Sequence, residues 1–255
     1  MQTQRLARML LCATLVSGAA MAEPADEKAR SGWPGTVGVS LDASVLLGIG
    51  LSVGVPLGDQ SNLRLSHHAY SYDKEFDDAN SGASYDGTLD LKSTGLLADW
   101  HPFKGVFRLT AGLMSNGNQI KLVGTDSGTG LYDVGDCTYE SDQNFPLRID
   151  GVVDFKSSVP YLGLGWGGNM NAEPGFYEIF DLGVMFSGAP RSNLKGSGSA
   201  RNTGGNGPCG DGNYHDVSSY QPFQDAVSQA EADSNEETKN FKLWPNIGFG
   251  IGWRF

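Results

Sequence analysis

Along most of this chain, apolar side chains recur at every second position. The last stretch shows it best: Ile247, Phe249, Ile251, Trp253 and Phe255 alternate with Gly248, Gly250, Gly252 and Arg254. A period of two sends the first set to one face of a strand and the second set to the other. The same rhythm joins Val45, Leu47, Ile49, Leu51, Val53 and Val55, and it returns in Phe107–Leu113, Pro160–Trp166 and Phe180–Phe186. One face is bulky and apolar, and the other is small or polar. In water the bulky face would be a core; in a membrane barrel it meets lipid, and the small face lines the interior. The phase changes near Ser93-Thr94 and near Ser157-Ser158, which predicts bulges there.

The pattern predicts strands near 45–56, 61–73, 86–101, 105–121, 149–167, 175–192 and 239–255. Short connections (Pro56–Gln60, His101–Gly105, Gly167–Gly175) alternate with long ones at 74–85, 122–148 and 193–238. Bacterial barrels place short turns on the periplasmic side and long loops outside. Both ends of the chain on the inner side require an even number of strands. Thr36–Asp42, with Val37, Val39 and Leu41 on one face and a tight turn near 42–44, supplies an eighth. One uninterrupted strand from 36 to 56 is the competing reading. The expected fold is all-β: an eight-stranded antiparallel transmembrane β-barrel with long extracellular loops and a short helix in the last loop. That helix is Pro222–Ala232, with Pro222 in the first turn and Phe223, Ala226, Val227 and Ala230 on one face. The Gly/Ser/Asn-rich stretch before it, Gly196–Gly212, reads as mobile.

The N-terminus agrees with export. Arg5 and Arg8 precede the apolar core Met9–Val16, and Ala20-Met21-Ala22 fits a cleavage site. Residues 1–22 are therefore read as a signal peptide, 23–35 as a periplasmic extension and 36–255 as the barrel. Losing Arg5 and Arg8 takes the net charge from −11 to −13. The most apolar remaining run, Val45–Leu57, is thirteen residues and carries Gly48, Gly50 and Gly54. A spanning helix needs roughly 20. An exported chain without such a helix is soluble or a barrel, because only helices and closed barrels satisfy every backbone group in lipid.

Strand phase points Arg64, His68, Arg108, Asp181 and Arg254 into the barrel, together with Asp42. They are either a structural network, since buried charges must pair, or the lining of a narrow polar path kept open by the interior glycines. Acids crowd the outer loops: Asp73, Glu75, Asp77 and Asp78 in one, and Asp126, Asp133, Asp136, Glu140 and Asp142 in the next. They either concentrate cations at the mouth or form a solvated surface. Their spacing matches no calcium loop, and neither a metal nor another cofactor is expected. Cys137 and Cys209 form a disulfide favoured by the export route, or stay as two free thiols. Trp100, Phe103, Trp166, Phe176, Trp244, Trp253 and Phe255 near the strand ends read as interfacial girdles. Adjacent His67 and His68 face opposite ways and cannot share a metal, and no His-Glu-x-x-His motif appears. No enzyme is expected; a lipid-modifying barrel enzyme of the esterase or acyltransferase kind, pairing a serine with His67 or His68, is a distant alternative. Nothing suggests nucleic acid.

Specific stretches resemble known proteins. Val159–Trp166, Phe180–Pro190, Gln224–Val227 followed by Trp244-Pro245, and the glycine-alternating last strand resemble CarO-like outer-membrane proteins, the carbapenem-resistance-associated or ornithine-uptake porins. Leu97–Phe103 resembles an earlier turn in the wider family. The loops and their cysteines depart from that pattern. Phe249, Ile251, Trp253 and Phe255 resemble the C-terminal assembly signal of outer-membrane proteins. The resemblance implies a monomeric eight-stranded barrel in the bacterial outer membrane, with membrane lipid and the barrel-assembly machinery as partners. It also implies slow uptake of small basic solutes such as ornithine; a closed barrel with a structural or surface-interaction role is the alternative.

Overall fold

The computed structural model describes residues 36–78, 83–126 and 130–255; the expected signal peptide and extension lie outside them. In chain order the strands are β1 (Gly38–Ser44), β2 (Gly48–Gly58), β3 (Ser61–Asp78), β4 (Ala83–Trp100), β5 (Phe107–Asn116), β6 (Gln119–Asp126), β7 (Leu131–Val134), β8 (Cys137–Ser141), β9 (Arg148–Asp154), β10 (Ser158–Gly167), β11 (Gly175–Met185), β12 (Arg191–Ser197), β13 (Ser199–Asn202), β14 (His215–Asp216) and, after helix α1 (Gln221–Thr238), β15 (Trp244–Arg254).

Eight of these strands form an antiparallel ring in the order β1-β2-β3-β4-β5-β10-β11-β15. It closes where β15 pairs back to β1, Gly38 opposite Arg254 and Ser44 opposite Gly248. The segment 36–56 is two strands: Gly38 faces Gly54 across a turn at 45–47, where the Leu47 amide donates to Ser44 Oγ at 3.2 Å. Gly48 leaves that turn at φ 90°, a conformation in which a side chain would be strained.

The ring's outward residues are the alternating apolar set. Leu41, Ile49, Leu51, Leu65, Leu96, Leu113, Leu162, Phe249 and Ile251 are all exposed, as a lipid-facing band requires. At the short-turn end Phe103, Phe107, Trp166 and Phe180 form a chain of ring contacts with centroids 5.7–6.1 Å apart. Trp100, Phe176, Trp253 and Phe255 are exposed beside it. Trp244 does not join a girdle: it falls on the inward phase of β15, is buried, and donates from Nε1 to the Leu46 carbonyl at 2.9 Å.

Above the ring the chain builds a second body. The outer half of β4 leaves β5 and pairs with β6, β6 with β9, and β9 with β12. The expected single strands at 105–121, 149–167 and 175–192 are each two strands, broken at 117–118, 155–157 and 186–190. The break at 155–157 is where a bulge was expected. No bulge occurs near Ser93: β4 pairs with β3 in unbroken register from Trp100 to Ala83, and burial alternates strictly from Leu91 to Trp100. The sequence changes phase there because the surroundings exchange. Below, Leu96 and Ala98 face outward; above, Leu89 and Leu91 face inward against packed side chains. The ladder also continues through the expected loop 74–85, to Asp78 opposite Ala83.

This head has its own core. Tyr132, Val134, Tyr139, Leu147, Ala200, Val217, Phe223, Ala226 and Val227 are buried together, with Tyr85, Ile149 and Leu194 against them. A small sheet, β14-β13-β8-β7, forms its other wall. The stretch expected to be mobile is ordered within it: β13 pairs with β8 and β14, and Cys209 is bonded to Cys137 72 positions away. Helix α1 extends six residues beyond its apolar pattern, to Thr238. The reason is tertiary. The edge-strand amides of Ser192 and Leu194 donate to Asn235 Oδ1 (2.9 Å) and Glu231 Oε1 (2.6 Å), so the helix's polar side chains cover the free edge of β12.

Candidate functional site: the barrel interior

Inward positions of the ring carry the polar half of the alternation, and they form layers. The floor is the β10–β11 turn folded up beneath the barrel. Gly167 and Gly168 take positive φ there, and Asn169, Met170 and Asn171 are buried behind them. Asn62 Nδ2 donates to the Gly168 carbonyl at 3.0 Å and lies 3.0 Å from His101 Nε2. His101 Nδ1 lies 2.9 Å from the Gly105 carbonyl, which can only accept; Nδ1 therefore holds the proton and Nε2 accepts from Asn62.

The next layer is ionic. Arg64 grips Asp99 with two bonds, Nε to Oδ2 at 2.9 Å and Nη2 to Oδ1 at 3.2 Å. Its Nη1 donates to Asp181 Oδ2 at 3.2 Å. Arg108, with no exposed surface, donates to Asp181 Oδ1 at 2.7 Å and to the Gly167 carbonyl at 2.8 Å. Thr110 donates to Asp99 at 2.6 Å. Two guanidinium groups and two carboxylates thus alternate across the lumen, and each charge has its counterion. Above them Asp42 accepts from Ser40 (2.9 Å) and Ser52 (2.7 Å) and lies 3.4 Å from His68 Nε2. Tyr161 accepts from Asn246 at 3.1 Å, and Asn246 also bonds Ser44. The roof is apolar: Leu47, Leu91, Leu97, Met114, Val159, Met185 and Trp244 are buried in one cluster. Leu47 was expected on the lipid face, but it sits in the β1–β2 turn, where the strand alternation does not apply.

Three of the interior glycines are filled from across the lumen. A Cβ on Gly50 would lie 2.2 Å from the His68 ring, one on Gly183 2.1 Å from the Tyr161 hydroxyl, and one on Gly38 2.3 Å from Met170 Sδ. Each glycine is the seat of a large neighbouring side chain. A cavity of about 20 Å³ lies between Asp42, Arg64, His68, Tyr161 and Asp181, room for about one water.

Of the residues singled out from sequence, Arg64, His68, Arg108 and Asp181 meet in this interior. Arg254 stands at its inner rim, donating to the carbonyls of Glu173 (2.9 Å) and Asn169 (3.1 Å). Sequence reasoning passed over Asp99 and Thr110, although the phase of Leu96, Ala98 and Trp100 places Asp99 inward. Phe249, Ile251, Trp253 and Phe255 all face outward. Asp73 and Glu75 are exposed and accept from Thr88 (2.6 Å) and Ser84 (3.4 Å) on the facing strand; the side chains of Asp77 and Asp78 lie outside the described residues. In the head, Arg201 holds the Glu140 carboxyl below its ordinary range. The Asn213 amide and His215 hold Asp211 down at about 2. Among the described residues no three His, Cys, Asp or Glu side chains converge on a metal-sized site.

No family model and no curated protein matches the sequence. Solved structures do match. The crystal structure of Acinetobacter baumannii CarO is 20% identical, covering 86% of this chain and 97% of that one with a TM-score of 0.51. That of Acinetobacter baumannii CarO2 is 16% identical, covering 86% and 98%, also with a TM-score of 0.51. The sequence resemblance and the solved structures converge on one architecture: this chain has the barrel fold of Acinetobacter baumannii CarO.

Proposed function

We propose that this chain is an outer-membrane β-barrel whose lumen is closed to solutes, and that it serves to anchor and present the disulfide-tied head at the cell surface. The observation that carries this reading is the filled interior: a paired ionic layer between an amide-bonded floor and an apolar roof, with space for about one water. A solute as large as ornithine would have to displace both the Arg64–Asp99–Arg108–Asp181 network and the roof. Separating buried ion pairs costs about 3–5 kcal/mol for each partner removed. The head supports a presenting role, because it has a core and a covered sheet edge of its own.

Liposome swelling tests the reading. Refolded protein is expected to give no swelling above empty liposomes with glycine, ornithine or glutamate. Swelling that is faster for ornithine than for glutamate would overturn it and restore the uptake of small basic solutes.

A further inference from the structure

The chain is acidic, yet three of its lysines gather at one level without a carboxylate partner among the described residues. Arg64, Arg108, Lys121, Arg148, Arg201 and Lys239 each pair with an acid. Lys92, Lys156 and Lys242 are exposed and make no ion pair among the described residues.

Backbone bonds tie these three lysines into one belt. The Lys92 carbonyl accepts the Gly117 amide at 2.8 Å, in the break between β5 and β6. Next to it, the Asn116 amide donates to the Ser157 carbonyl at 2.7 Å, which brings the break between β9 and β10, with Lys156, to the same height. The Lys156 stem lies over Gly188, where an added Cβ would meet its Cε at 2.9 Å. Gly188, in the break between β11 and β12, donates its amide to the Lys242 carbonyl at 3.1 Å. The belt therefore runs along the seam where ring passes into head. Immediately below it the exposed side chains turn apolar: Leu96, Leu113, Leu162, Phe186 and Leu243. Arg191, exposed and also without an ion pair, stands just above, across the ladder from Asp154, which is engaged by Gln119 at 2.7 Å.

Exposed lysines at the upper limit of an apolar band are placed to reach a headgroup layer. We propose that Lys92, Lys156 and Lys242 form a collar that binds the phosphate groups of outer-leaflet lipid. Phosphate suits it because its charge approaches two negative units and lysine engages it as a point charge. The proposal rests on the barrel spanning a membrane, and it holds whether or not the lumen conducts.

The test measures binding of fluorescent bis-phosphorylated lipid A, and of its dephosphorylated form, to the full chain folded in neutral detergent micelles. Wild-type protein is expected to prefer the phosphorylated lipid. The variant Lys92→Gln/Lys156→Gln/Lys242→Gln should lose that preference by on the order of 100-fold, while Lys104→Gln, in a short turn at the opposite rim, keeps it. Equal binding of the two lipids, or an unchanged preference in the triple variant, overturns the collar. If the triple variant does not fold, salt on the wild type decides: the preference should fall as salt screens the ammonium groups, and a salt-independent preference overturns the proposal. Heat-resistant migration reports the barrel separately. A wild-type chain that does not fold in micelles counts against the membrane barrel itself; a folded barrel indifferent to phosphate counts against the collar alone.

Discussion

The ring and the head share strands but invert each other. In the ring the apolar side chains face outward and the interior is ionic, with Arg108 fully buried among carboxylates. In the head the interior is aromatic and aliphatic around Phe223 and Tyr139, and the ion pairs, such as Arg201–Glu140, lie on the surface. Strand β4 crosses from one regime to the other without a break in its ladder. The lesson is that alternation fixes which side chains share a face, while the solvent outside decides which face is apolar.

That contrast predicts separable failures. Arg108→Met leaves Asp99 and Asp181 to share the single charge of Arg64, one carboxylate too many in the lumen, and should destabilise the ring by about 3–5 kcal/mol or block its assembly. Urea unfolding in lipid would show it, and a barrel as stable as wild type would break the claim that the ionic layer holds the ring. Phe223→Ala empties the head core where Phe223 meets Tyr139 edge-on at 4.9 Å. It should cost about 3–4 kcal/mol, yet leave heat-resistant migration of the barrel intact. Loss of that migration would show one cooperative unit instead of two. Cys137→Ser/Cys209→Ser opens a 72-residue loop and should cost roughly 2–4 kcal/mol, confined to the head. Limited proteolysis should cut near β13 and leave the ring protected. The smallest effect is acid-dependent. Asp211 is depressed from 3.8 to about 2 by the Asn213 amide and His215, and Glu140 is lowered from its ordinary 4.5 by Arg201. A depressed carboxyl contributes stability that is complete above its unfolded value and is lost as pH falls through its folded value. The head should loosen as pH drops from about 4 toward about 2, with faster hydrogen exchange around 140 and 211; uniform exchange in ring and head would contradict it.

Much of this was legible in the sequence. Alternation gave the ring strands, their outward faces and the short turns, and the need for an even strand count favoured two strands over one in 36–56. It pointed Arg64, His68, Arg108 and Asp181 to one interior. The head was legible only in its helix and in the favoured Cys137–Cys209 bond: its strands are short, Gly-rich and set in segments that lack a periodic apolar face, and α1 runs to Thr238 because Glu231, Ser234 and Asn235 bond to β12. The same limit applied to Leu47, whose turn position frees it to fold inward, and to Asp99, which a short strand pattern places but cannot pair. The sequence by itself determined a closed, alternating sheet, because local periodicity depends only on neighbours along the chain. Only the tertiary structure decided that the lumen is filled, because filling depends on which residues from distant strands reach the same point, as His68 does over Gly50 and Tyr161 over Gly183.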